Sequence, residues 1–182
     1  MDKRKIDSRL EQKLGFDRIR RIISDRCSTS YAVERTATET FSTSAAKIRK
    51  RLLLTDEMRL IMMFEDGFPS GGFIDCIDFL KPLERSSSAI DLISLRKLKT
   101  MLETLRKVTS FFEDIKDGVY PNLKRMSAKI LCFPEIQRRI ESLIDRYGEI
   151  KDTASDELYE IRRSLRDKES SISRRMNAIL KR

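Results

Sequence analysis

Enzyme chemistry needs reactive side chains at fixed spacings, and this chain offers few. It contains no histidine and no tryptophan, so the commonest general acid–base, the commonest metal ligand and every Ser–His or Cys–His nucleophile pair are missing. Carboxylates, glycines and thiols remain. Asp75 with Asp78, and Glu113 with Asp114 and Asp117, have the oxygens a magnesium ion takes. No phosphate loop or further convergent acid accompanies them, and helix capping and solvation account for them better. Gly67, Gly71 and Gly72 are neither preceded by a strand nor followed by Lys-Ser/Thr, so they read as a turn, not a phosphate loop. Cys27, Cys76 and Cys132 are odd in number and never form CxxC, which excludes a disulfide framework and a zinc site and suggests buried thiols in a reducing cytoplasm. The expectation is a chain that is no enzyme by itself, with no catalytic residue, cofactor, metal or small-molecule substrate of its own.

Positive charge is the other candidate. Of 182 residues, 38 are Lys or Arg against 29 Asp or Glu, a net charge of +9, which suits an anionic partner. Lys3, Arg4, Lys5 and Arg9 crowd the start. Arg162, Arg163, Arg166, Arg174, Arg175 and Lys181, with Arg182, crowd the end, and these are the candidate phosphate contacts. Asp156, Glu157, Glu160, Asp167 and Glu169 are interleaved with them, as on an ordinary solvated helix with opposite charges one turn apart. No aromatic residues alternate with the basic ones, so a stacking platform for single strands is not expected.

The elements that would position these residues read as helices throughout. After a polar leader, Leu14-Gly15-Phe16-Asp17 opens a helix with Phe16, Ile19, Ile22 and Ile23 on one face, and Asp17 as its N-cap or first-turn carboxylate. Ser28-Thr29-Ser30 breaks it and another helix follows over 31–40. Ser42, Thr43 and Ser44 offer a cap for a long helix over 45–64, whose expected buried side is Ile48, Leu52, Met58, Ile61, Met62 and Met63. Met58, Met62, Met63 and Met101 are expected to fill core. Phe73, Ile74, Ile77 and Leu80 form a short helix started by Asp75 and stopped near Pro82, and a serine linker follows at 86–88. The segment 90–112 is the best core helix: Leu92, Leu95, Leu98, Met101, Leu102, Leu105, Val108, Phe111 and Phe112 keep a three-or-four spacing. Short helices follow, one with Leu123 and Met126 and one opened by Phe133-Pro134 and holding Ile140, Leu143 and Ile144. Only 148–152 has strand character, enough for a brief hairpin or an extended turn. The run 52–64 is interrupted by Asp56, Glu57 and Arg59 and is too short to span a bilayer, and the start is not a signal peptide. A cytoplasmic chain with no membrane partner is expected.

The last helix differs in kind. Leu158, Leu165, Ile172 and Ile179 recur every seven residues, with Ile161 beside the first, which is the period of a coiled-coil seam. Lys168, Arg175 and Arg182 take the other seam positions, so the stripe is too thin for a globular core and suits one arm of an antiparallel pair. The predicted fold is all-α: a polar leader over 1–13, a helical bundle over 14–155, and a protruding helix over 156–182 that begins a coiled-coil clamp.

Several of these segments, in this order, resemble the amino-terminal region of the bacterial MutS-type proteins of the second kind, the endonuclease MutS-II family. They are Leu14-Gly15-Phe16-Asp17, Pro69-Ser70-Gly71-Gly72-Phe73-Ile74-Asp75, Tyr120-Pro121-Asn122-Leu123 and, most specific, Gly148-Glu149-Ile150-Lys151-Asp152-Thr153-Ala154-Ser155-Asp156-Glu157-Leu158 with Ile161-Arg162-Arg163. The last looks like the point where such proteins leave their helical lever domain and begin the ascending clamp helix. The resemblance implies a homodimer whose ATPase, with its ATP and magnesium, and whose nuclease-like domain lie outside this sequence, acting on branched DNA or stalled ribosomes. On that expectation the chain is a piece cut from a longer protein or the product of a shortened gene. The competing expectation is a free-standing basic helical protein that binds nucleic acid directly.

Overall fold

The computed structural model describes residues 8–40, 42–85 and 89–180. Lys3, Arg4, Lys5, the 86–88 linker, Lys181 and Arg182 lie outside the described residues, as does the side chain of Arg9. Among the described residues there are nine α-helices and no strand, so the fold is all-α. The chain packs as two compact units. One comprises residues up to Ala89 together with Thr100–Cys132, and the other Ile90–Lys99 with Phe133–Arg182.

The first unit begins with α1 (Ser8–Lys13), α2 (Phe16–Ser24) and α3 (Ser30–Ala37). A short helix thus forms within the expected polar leader. It is tied to α2 by Glu11, whose carboxylate takes both Nη atoms of Arg20 at 2.8 and 3.1 Å, while that guanidinium lies over the Phe16 ring at 4.6 Å. Gly15 supplies the left-handed step before α2 (φ 72°), and Asp17 sits in its first turn. Thr29 caps α3 by accepting the Ala32 N–H.

Helix α4 (Ala45–Phe64) starts at its Ser44 cap, and its inward face differs from the expected one. Ile61 is wholly buried, and Leu54 and Met58 pack against the same core. Leu52 is 64% exposed, Ile48, Met62 and Met63 are exposed as well, and the other buried residue of the helix is Glu57. The inward set Leu54, Glu57, Met58 and Ile61 keeps helical spacing. Glu57 turned the face, because its carboxylate serves α7 (Pro121–Ser127): Oε1 accepts the Asn122 N–H and Nδ2 at 3.1 and 2.6 Å, and Oε2 accepts the Leu123 N–H at 2.7 Å. Helix α7 has no side-chain cap of its own, since its N-cap residue is Tyr120, held in the left-handed region (φ 50°). A carboxylate is suited to that end, where N–H groups and the helix dipole both favour negative charge.

Phe73 and Ile74 precede the short helix rather than joining it. α5 (Ile77–Leu80) begins only after Asp75, whose Oδ1 accepts the Ile77 N–H and whose Oδ2 accepts the Ser30 hydroxyl. These hydrogen bonds, that of Ile77 foremost, hold the Asp75 carboxyl below the usual range. A 3-10 turn, Lys81–Glu84, follows. Helix α6 (Leu92–Asp114) is capped by Asp91, which accepts the Ser94 N–H and hydroxyl at 2.9 and 2.7 Å. Its stretch within the first unit supplies Val108 and Phe112 to a core with Ile61 and Leu123. Phe68, Phe111 and Phe112 meet edge to face at 5.2 to 6.1 Å between centroids. The Tyr120 hydroxyl donates to Glu65 Oε1 at 3.0 Å, and burial, then that carboxylate, raises its pKa. Met126 is exposed, and so is Cys132, contrary to the expectation of buried thiols, whereas Cys27 and Cys76 are half-buried. Asp117 pairs with Lys124 at 2.8 Å.

The second unit contains the first turns of α6, α8 (Pro134–Leu143), a 3-10 turn at Asp152–Ala154 and α9 (Asp156–Leu180). Its most buried side chains are Ile140 and Ile144.

Candidate functional site

The candidate site is the turn from which α9 departs. Ile144 and Ile150 form an isolated antiparallel bridge that closes a tight turn, so of the hairpin or extended turn expected at 148–152 a single bridge forms. Inside it Asp145 organises the backbone: its Oδ1 accepts the N–H groups of Tyr147 (2.8 Å) and Glu149 (2.9 Å), and its carbonyl accepts that of Gly148 (3.1 Å). These backbone donors, Glu149 foremost, hold the Asp145 carboxyl below the usual range. Gly148 sits at φ 83°, and a Cβ there would fall 2.7 Å from Arg96 Nε. Arg96 closes over it from α6, donating through Nε to the Gly148 carbonyl and through Nη2 to Glu149 Oε1 at 2.7 Å. Lys151 ties the other limb to α8, its N–H to the Leu143 carbonyl (2.9 Å) and its Nζ to the Glu141 carbonyl (2.6 Å).

The same turn then takes hold of α9. Ser155 Oγ caps the helix by accepting the Leu158 N–H at 3.2 Å. Arg162 and Arg166, two of the candidate phosphate contacts, are held by the turn: Arg162 donates to the Ile150 carbonyl (3.0 Å) and Asp152 Oδ1, and Arg166 donates to Asp152 Oδ2 at 3.0 Å. Two arginines on successive turns are strapped to one carboxylate. The hydrogen bond from Arg162, then the charge of Arg166, lowers the Asp152 pKa from 3.8. A carboxyl whose folded pKa is depressed stabilises above its unfolded value and loses that contribution as pH falls through the folded one. Lower amide protection over 156–166, relative to the intrinsic exchange rate at each pH, is therefore expected as pH falls below 3.8 and through the depressed Asp152 pKa. Asp152→Asn should produce the same loosening at neutral pH, with exchange in α4 unchanged. Equal protection in the variant would show that the strap does not hold the helix.

Arg163, Arg174 and Arg175 are exposed, with Arg174 Nε donating to the Ser170 carbonyl at 3.3 Å; Lys181 lies outside the described residues. Of the seam residues Leu158 is half-buried, while Ile161, Leu165, Ile172 and Ile179 are all more than half exposed. Met176, which the heptad leaves out, lies exposed among them. Sequence reasoning missed Asp152 and Arg96 as the residues that root α9. Arg96 carries no local signal, because its partners are 52 and 53 positions away. Among the described residues no group of three or more His, Cys, Asp or Glu is placed to hold a metal ion, and no helix is long and apolar enough to cross a membrane. The arrangement fixes the direction of a helix and presents its surface.

No family model matches the chain. It is similar to a protein named Endonuclease MutS2 from Alkaliphilus oremlandii, 27% identical over 168 residues, which is 92% of this chain and 21% of that protein. Proteins of the same name from Listeria welshimeri (26% over 178 residues, 97% of this chain and 22% of the relative) and Geobacillus sp. (27% over 183 residues, 96% and 22%) are also similar. The chain thus resembles MutS2 proteins along nearly all its length while spanning about a fifth of theirs.

Proposed function

We propose that the chain is the non-catalytic helical scaffold of a MutS-type DNA-binding ATPase, linking the ATPase to a clamp that engages branched DNA or stalled ribosomes. The observation that carries this reading is the wired root of α9. A helix about 37 Å long leaves a turn that Arg96, Lys151 and Asp152 tie to two other helices, so a rotation at the root would swing the far end. Similarity confined to a fifth of the relatives' length supports it, because it leaves room elsewhere in such proteins for nucleotide, magnesium and nuclease chemistry. In this reading the bundle is the lever, α9 is the ascending clamp helix, and the longer protein is a cytoplasmic homodimer serving DNA repair, recombination control or ribosome rescue.

Immunoblotting a lysate of the source cells with an antibody against this chain tests it, and a band several times larger than 182 residues is the expected result. A band at the chain's own size would favour direct nucleic-acid binding by a free-standing basic protein, for which exposed Arg163, Arg174 and Arg175 are the observation. That second reading makes its own demand: affinity of the purified chain for a four-way DNA junction must fall with salt and weaken on Arg174→Glu with Arg175→Glu.

A further inference from the structure

Helix α4 begins outside the core. Residues 45–53, the first nine of its 20, are all exposed, and burial starts only at Leu54. That overhang holds four cations, Lys47, Arg49, Lys50 and Arg51, and the first acid of the helix comes later, at Asp56. Arg51 is paired with Glu39, whose carbonyl also accepts Arg20, so this end of α4 is tied to α2. Among the described residues no carboxylate pairs with Lys47, Arg49 or Lys50. At about 100° per residue Lys47, Lys50 and Arg51 share one arc of about 100° with Leu54, Met58 and Ile61. The stripe that enters the core further along is therefore cationic at its start. Like charges one turn apart repel and weaken a helix. In α9 interleaved acids relieve that repulsion; Lys47 and Lys50 have no such relief among the described residues.

We propose that Lys47, Lys50 and Arg51 form a docking stripe for the phosphate backbone of a nucleic-acid duplex. Each strand of a duplex presents a phosphate about every 3.4 Å of axis, and the stripe runs for about 6 Å, which suits contact with about two of them. A single strand fits less well, because no aromatic side chain stands in 45–53 for a base to stack on. An anionic membrane also fits less well: a helix lying on lipid needs a continuous apolar side opposite its cations, and Arg49 and Asp56 stand there. The stripe belongs to the first unit and the arginines of α9 to the second, so this is a surface separate from theirs. The scaffold role does not depend on it.

Fluorescence anisotropy of the full 182-residue chain tests the stripe, with a DNA duplex of about 24 base pairs and an RNA duplex of the same sequence, over about 50 to 300 mM salt. Lys47→Ala with Lys50→Ala should raise the dissociation constant about tenfold or more at the lowest salt and reduce the salt slope by about two. Arg49→Glu changes the net charge by the same amount from outside the stripe and should alter affinity by less than about threefold. Alanine is the better helix former and both lysines are exposed, so the double variant should keep its helical circular dichroism, and its weaker binding then has no origin in unfolding. The loss should persist on an Arg174→Glu, Arg175→Glu background, because independent sites add. A response confined to one duplex assigns the stripe to that duplex. Equal weakening by Arg49→Glu and by the lysine pair overturns the proposal, since net charge alone would then explain binding. A chain that binds neither duplex, or whose affinity ignores the lysine pair, overturns it equally and leaves the stripe to an acidic protein segment.

Discussion

Gly72→Ala should destabilise the first unit by about 3 kcal/mol, most of it from one collision. An added Cβ would lie 2.3 Å from Thr104 Oγ1. Threonine is β-branched and stiff, and this one is buried in α6 with its hydroxyl already donating to the Thr100 carbonyl at 2.9 Å. It cannot simply rotate away. The backbone adds its own cost, since φ is 84° at Gly72 and an L-residue in that region loses about 1–2 kcal/mol. Overpacking of a rigid site typically contributes a further 1–3 kcal/mol. Urea unfolding followed by helical circular dichroism measures the total, and a double-mutant cycle separates the parts. Gly72→Ala made on a Thr104→Ala background should show only the backbone cost. If the cost is the same on both backgrounds, the collision is not its cause.

Glu57→Ala is the second large effect, about 3 kcal/mol, for a different reason. Removing the carboxylate leaves the Asn122 and Leu123 N–H groups without the acceptor on which they converge. Hydrogen bonds to a charged group are worth about 1.5–3 kcal/mol each, and an orphaned buried donor costs desolvation besides. Glu57→Gln retains one carbonyl oxygen and should lose roughly half as much. Amide exchange at Leu123 separates this loss from general weakening: it should rise more in Glu57→Ala than exchange at Val108. Parallel increases at both positions would mean that the carboxylate supports the whole unit rather than the start of α7.

What was legible in the sequence was local. The Ser44 cap, the helix break at Ser28-Thr29-Ser30, the turn glycines and the apolar periodicity of α6 are set by residues a few positions apart, and they delivered the all-α fold and most helix boundaries. What escaped was decided at long range. Glu57 read as a flaw in an apolar run because the N–H groups that need it are 65 and 66 residues later. Once Glu57 turned inward, the face bearing Leu52 and Met62 turned out. For Arg162 and Arg166 what escaped was the intramolecular partner, since basic residues on a helix advertise charge and not partners. Nothing local reveals that Asp152 holds both. Met176 escaped for a simpler reason: a strict seven-residue template skips a stripe that follows the true helical turn.

The division of α6 between the two units sets an order of assembly during synthesis. Every residue of the first unit has been made once Cys132 is joined, so that unit waits for nothing later in the chain. The second cannot close then, although its opening segment, Ile90–Lys99, was made long before. Arg96 is synthesised 52 residues ahead of the Gly148 carbonyl it will hold. A nascent chain stopped at Cys132 would therefore carry every residue of one unit and an Arg96 whose Gly148 acceptor had yet to be made.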